Sequence, residues 1–74
     1  VKVREKVPFE RVPGFPHLVA GAENRIAGSG RILVRYSGTE LLARVMVEGT
    51  ERATVESIAD ELAGALQGAL GASD

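Results

Sequence analysis

The sequence predicts an α+β fold: a two-layer sandwich in which two helices cover one face of an antiparallel sheet of three strands, or four. Three observations predict it. Apolar residues alternate through residues 31–36 and 42–48, the two-residue period of a half-buried strand. They recur every three to four residues through 15–27 and 51–70, the period of an amphipathic helix. A polar stretch, Ser37-Gly38-Thr39-Glu40, separates the two central runs, so they read as a hairpin. The order is strand, helix, strand, strand, helix. Each helix has one apolar stripe, so both must cover the same face of the sheet. A split βαβ arrangement then sets the first strand beside the third, in the order 1-3-2.

Taken in order, Val1, Lys2, Val3 and Arg4 alternate apolar and charged side chains and predict a short strand over residues 1–7, its basic residues solvated. The pattern starts without a lead-in, as expected for a fragment of something longer. Residues 8–16 hold all three prolines and form a connector. Pro16 suits the first turn of a helix, where its missing N–H costs nothing. Phe15, Leu18, Val19, Ala22 and Ile26 then predict a helix over 15–27, ended by Gly28-Ser29-Gly30. His17 near its start has no serine, cysteine or aspartate partner in view and is expected on the surface rather than as a base or ligand.

The hairpin register follows from its faces. Ile32 and Val34 share one face of the first run; Ala43, Val45 and Val47 share one face of the second. One register that sets those apolar faces together pairs Ile32 with Val47 and Val34 with Val45. It also sets Arg31 opposite Glu48, and Arg35 opposite Arg44. The other face carries Leu33, Leu42 and Met46 among its charges, more apolar than a free-standing domain would show, and is expected to be partly covered. Met46 is expected to pack, and Tyr36 to cap the sheet edge. Gly49-Thr50 is a turn with Thr50 as the expected N-cap of the last helix, where Glu51 complements the dipole. Val55, Ile58, Ala59, Leu62, Leu66 and Ala69 form its stripe over 51–70, and residues 71–74 a frayed tail. Glu56, Asp60 and Glu61 lie off the stripe and read as a solvated face rather than a metal site.

Composition bounds the function. Seventy-four residues make one domain, of a size that buries only about 60% of its unfolded surface. There is no cysteine, which excludes disulfides and thiolate metal sites and is compatible with a reducing cytoplasm. One histidine excludes a multi-histidine cluster. No apolar run approaches the roughly 20 residues that span a bilayer, and no signal-peptide pattern is visible. The net charge of −1 is unevenly placed: both 1–18 and 31–47 are net basic, and 48–74 is strongly acidic. A nucleic-acid binder would carry a basic surplus and stacking aromatics. Here the aromatics are Phe9, Phe15 and Tyr36 alone, so neither a nucleic-acid nor a membrane partner is expected.

The chemistry concentrates around the loop. Gly38 opens backbone conformations closed to other residues. Successive backbone N–H groups in such a turn can form a concave nest for an anion. Ser37 and Thr39 add hydroxyls. Arg35 and Arg44 add planar forks that match phosphate oxygens. Like charges directly opposite each other in a sheet are destabilising. Their convergence makes sense with an anion between them; an ordinary hairpin with solvated arginines is the other reading these residues allow.

Arg35-Tyr36-Ser37-Gly38-Thr39-Glu40 followed by Arg44-Val45-Met46-Val47-Glu48 resembles the phosphate-binding loop of the α-D-phosphohexomutases, in particular their bacterial phosphoglucosamine mutase branch. The opening Val1-Lys2-Val3-Arg4, Pro8-Phe9-Glu10 and Val12-Pro13-Gly14 are similar to the start of that family's last domain, so the likeness covers nearly the whole chain. Tyr36 and Leu41 depart from it, each standing where proline is usual.

The resemblance implies that residues 1–74 are the C-terminal phosphate-binding domain of a phosphosugar mutase, TATA-binding-protein-like in fold. The branch interconverts glucosamine 6-phosphate and glucosamine 1-phosphate. It implies that Arg35, Ser37, Gly38, Thr39 and Arg44 hold the phosphate that is not transferred, while Glu40 orients the loop or an arginine. It implies Mg2+ for the full enzyme, with no ligand in this chain, and no catalytic residue here, so this piece alone is expected to be inactive. The implied partners are the phosphosugar and the enzyme's other domains, in the cytoplasm. Phosphoglucomutase and phosphomannomutase share the loop and are the near alternatives; a non-enzymatic module docking a protein on the Leu33/Met46 face is the distant one.

Overall fold

The computed structural model describes residues 1–26 and 30–71. A short 3-10 turn, Phe9–Arg11, leads into helix α1, Phe15–Arg25. Strands β1, Arg31–Tyr36, and β2, Ala43–Glu48, form the hairpin, and helix α2 runs from Arg52–Leu70. The fold is α+β, with both helices on one face of an antiparallel pair. Gly14 admits α1: its φ of 77° lies in the left-handed region that a side chain disfavours. Pro16 follows in the first turn. The sequence-predicted end of α1 beyond Ile26, with Gly28 and Ser29, and the tail from Ala72 lie outside the described residues.

The register of the hairpin is the one named from the apolar faces: Ile32 opposite Val47, Val34 opposite Val45, Arg31 opposite Glu48 and Arg35 opposite Arg44. Inward residues of both strands pack on a core of Val3, Val12, Phe15, Ala22, Ile26, Ala43, Ile58, Leu62, Leu66 and Leu70. Ile58, Leu62 and Leu66 are fully buried. Each such side chain contributes roughly 1.5–3 kcal/mol relative to exposure. The stripe of α2 closes on Leu70 rather than on Ala69, which is exposed.

Two expectations are corrected. The sheet has two strands among the described residues, not three or four. Residues 1–7 make only single antiparallel bridges, Lys2 to Leu42 on one side and Val3 to Gly71 on the other. The chain leaves the ladder because α2 captures it. The Arg4 N–H donates to the Leu70 carbonyl at 2.8 Å, the Arg4 guanidinium donates to the Ala69 carbonyl at 3.0 Å, and the backbone bends at Arg4 and Glu5. A cation on the orphan carbonyls of a helix C-terminus is favourable. The N-cap of α2 is Glu51, not Thr50, without a side-chain cap; Glu51 is still extended, and its carbonyl accepts the first helical bond, from the Val55 N–H at 3.0 Å. Among the described residues of this chain no element packs on Leu33 and Met46, which are 43% and 49% exposed, so the expected cover of the outward face would have to come from outside them.

Candidate functional site

The loop that joins β1 to β2 is tied at its root by the Ser37 N–H, which donates to the Leu42 carbonyl at 2.8 Å. Inside that closure the Leu42 N–H donates to the Glu40 carbonyl at 2.9 Å. The Ser37 Oγ accepts two long bonds, from the Thr39 and Glu40 N–H groups, each at 3.3 Å. This is a serine turn: a short hydroxyl side chain organises the backbone two and three residues on. Two N–H donors of the loop therefore converge on one oxygen.

Arg35 and Arg44 project from the last β1 and first β2 positions of the outward face, as the strand period dictates. With Tyr36, Ser37, Gly38 and Met46 they line an open depression of about 340 Å³. Among the described residues neither guanidinium has a hydrogen bond or an ion pair. Arg25, Arg31 and Arg52 differ, meeting Glu61, Glu48 and Glu56 respectively. Arg35, Ser37, Gly38 and Arg44 are thus brought together on one depression, and Thr39 contributes a backbone donor to the same loop. Among the described residues the Thr39 hydroxyl and the Glu40 carboxylate make no bond; Glu40 orders the turn through its backbone.

Gly38 behaves unlike its sequence reading. Gly14 is the one described residue with positive φ, so Gly38 is not there for an unusual backbone angle. A side chain on it would meet nothing within 4 Å. The space over its Cα is open toward solvent on the rim of the depression.

Two residues gain a place that sequence reasoning missed. The Lys6 ammonium donates to the Ser37 carbonyl, 31 residues away in sequence. The Tyr36 ring stacks on Phe9 at 4.3 Å and 14°, and its hydroxyl donates to the Val7 carbonyl. Burial pushes the Tyr36 phenol above its ordinary value of 10.0, and the nearby Glu5 carboxylate adds to the shift. Alternation along residues 1–7 was the available signal, and it pointed to a strand instead of a clasp.

Other concavities lack this chemistry. A depression of about 430 Å³ beside β1 is walled by Phe9, Phe15, Val19, Ile32 and Val34 with Glu10 as its one ionisable side chain. His17 borders a third with Arg25 and Glu61, which hold each other. No three histidine, aspartate or glutamate side chains gather to hold a metal among the described residues. Glu56 and Glu61 are engaged by Arg52 and Arg25, so among the described residues no donor set fits the Mg2+ implied by the resemblance. No described helix is long and apolar enough to cross a membrane.

Comparison with known proteins gives a consistent result. The profile described as phosphoglucomutase/phosphomannomutase, C-terminal domain, matches residues 1–65. A phosphoglucosamine mutase of Solidesulfovibrio magneticus is 52% identical over 63 residues, covering 85% of this chain and 14% of the relative. One of Desulfovibrio desulfuricans is 48% identical over 63 residues, with the same coverage of 85% and 14%. One of Koribacter versatilis is 44% identical over 71 residues, covering 96% and 15%. The chain thus spans about a seventh of the length of the curated relatives it matches. No solved structure matches it.

Proposed function

The chain belongs to the phosphoglucomutase/phosphomannomutase family as a C-terminal domain, and from that premise we propose that its hairpin loop holds the non-transferred phosphate of a hexosamine phosphate. One observation carries the proposal: Arg35 and Arg44 face each other across the register with no counter-charge among the described residues, at the mouth of a loop whose backbone donors already converge. A dianion there relieves the repulsion and takes charge-assisted bonds from both sides. Arg35 offers a bidentate fork, Arg44 closes the far side, the Ser37 and Thr39 hydroxyls donate, and the open Cα of Gly38 lets a phosphate approach the backbone. The Glu40 carboxylate keeps clear of the dianion, and the Glu40 backbone sets the turn.

In the parent enzyme this clamp would serve the interconversion of glucosamine 6-phosphate and glucosamine 1-phosphate, in the cytoplasm. A bisphosphorylated intermediate has to turn round between half-reactions. A site that reads phosphate and not sugar stereochemistry holds it either way, and binding energy far from the reacting centre positions that centre. The phosphoryl donor and any Mg2+ belong to other domains, so this chain alone is inactive. The names of the relatives favour glucosamine over the phosphoglucomutase and phosphomannomutase alternatives. The TATA-binding-protein-like architecture belongs to the same proposal, supported by the Lys2 to Leu42 bridge beside β2.

Titration of the chain with glucosamine 6-phosphate, followed by amide NMR, tests the reading. Shifts confined to residues 35–40 and Arg44, absent with glucosamine and lost in Arg35→Ala, are the expected result. Equal shifts with glucosamine, or none, would contradict it. The exposed Leu33 and Met46 favour a second reading, a protein-docking face. Arg35→Ala separates the two, because docking through that face would survive it.

A further inference from the structure

We propose that Lys6 is a third cation of the phosphate site, delivered to the loop by an aromatic clasp. This inference rests on the phosphate reading of the loop. The Lys6 ammonium sits on the Ser37 carbonyl, at the root of the turn that organises Thr39 and Glu40. An ammonium has three donors, and the carbonyl takes one. Among the described residues no carboxylate pairs with Lys6. Its charge is uncompensated like those of Arg35 and Arg44, and its remaining donors are free to meet an anion on the loop.

Chance placement of a flexible lysine is the obvious objection, and the neighbouring residues answer it. Val7 accepts the Tyr36 hydroxyl, and Phe9 stacks on the Tyr36 ring, so the chain on one side of Lys6 is anchored to the residue before Ser37. Phe9 also meets Phe15, at 5.7 Å, which fixes the connector to α1. On the other side Arg4 is bonded to the end of α2. Residues 4–9 are thus pinned at both ends, and Lys6 lies between the pins with its ammonium on the Ser37 carbonyl. Glu5, beside Lys6, lies close enough to Tyr36 to raise its phenol, so the clasp carries one acid as well as the cation.

The test is titration of the 74-residue chain with inorganic phosphate, read by the loop amides, for the wild type, Lys6→Met, Lys6→Arg and Arg35→Ala. Lys6→Met is expected to weaken binding by roughly two- to fivefold, the range for an exposed ion pair. Lys6→Arg should bind nearly as the wild type does. The gap between wild type and Lys6→Met should close as sodium chloride approaches about 1 M, where charges more than about 3 Å apart are screened. If Lys6→Met binds like the wild type while Arg35→Ala does not bind, the Lys6 proposal is overturned and the site stands. A weakening that salt does not reduce and arginine does not rescue would make Lys6 a structural tie, which also overturns it. No response from the wild type removes both readings.

Discussion

At the open end of the hairpin Arg31 faces Glu48; at the loop end, four residues along the same strand, Arg35 faces Arg44. The first pair is closed, with the Arg31 Nε 3.3 Å from the Glu48 carboxylate. The second has no acid paired with it among the described residues. A glycine accompanies each end. A Cβ on Gly30 would collide with the backbone of Glu48 and Gly49, whereas one on Gly38 would meet nothing. One end is satisfied from within, down to the glycine its packing demands. The other keeps a like-charge pair, which costs up to about 1 kcal/mol, and an open glycine that the fold does not use. On the proposed function, the contrast separates residues kept for folding from residues kept for a ligand.

Substitutions can sharpen or break that contrast. The largest effect on stability is expected from Gly30→Ala, because backbone must move to admit the methyl. A loss of about 1–3 kcal/mol, as for overpacking, should appear as a lower urea midpoint. Gly38→Ala should unfold within about 0.5 kcal/mol of the wild type, as exposed substitutions do, yet bind phosphate more weakly. Arg44→Glu should stabilise the free chain by about 0.5–1 kcal/mol, by turning a repulsive cross-strand pair into an attractive one, while abolishing phosphate binding. Glu48→Arg at the other end should do the reverse to stability and leave binding intact. Equal effects at the two ends would erase the distinction.

The smallest expected effect concerns the inward face of the loop end, where Tyr36 is satisfied internally. Its folded-state phenol titrates above 10.0, so the stability it adds is fully present below that pH. That stability is lost as pH rises from 10.0 through the raised value. Urea midpoints should therefore fall more steeply with pH above 10 in the wild type than in Tyr36→Phe, which has no phenol proton to lose.

The hairpin was legible because two uninterrupted apolar faces have to lie together, and a one-residue slip would expose them. The helices were legible from their stripes. Residues 1–7 were not, because Val1, Lys2, Val3 and Arg4 alternate like a strand, while capture of Arg4 by the end of α2 is a contact across the whole fold. The cap of α2 was missed for a local reason: Glu51 is still extended, so the helix starts one residue beyond the threonine. Within the site, the arginines and the small loop residues could be named from residue type and spacing. Lys6 could not, since its partner lies 31 residues away and its placement depends on Tyr36, Val7 and Phe9 meeting first.

The most direct measurement is urea unfolding in phosphate against chloride at equal ionic strength, for the wild type, Arg35→Ala and Arg31→Ala. A ligand that binds only the folded chain stabilises it in proportion to the logarithm of its concentration. Phosphate also strengthens burial in every protein, which is why the two arginines must be compared. The expected result is a phosphate-dependent rise in midpoint for the wild type and Arg31→Ala, reduced to the general salt effect in Arg35→Ala. The same rise in both variants would mean that the loop end holds no anion.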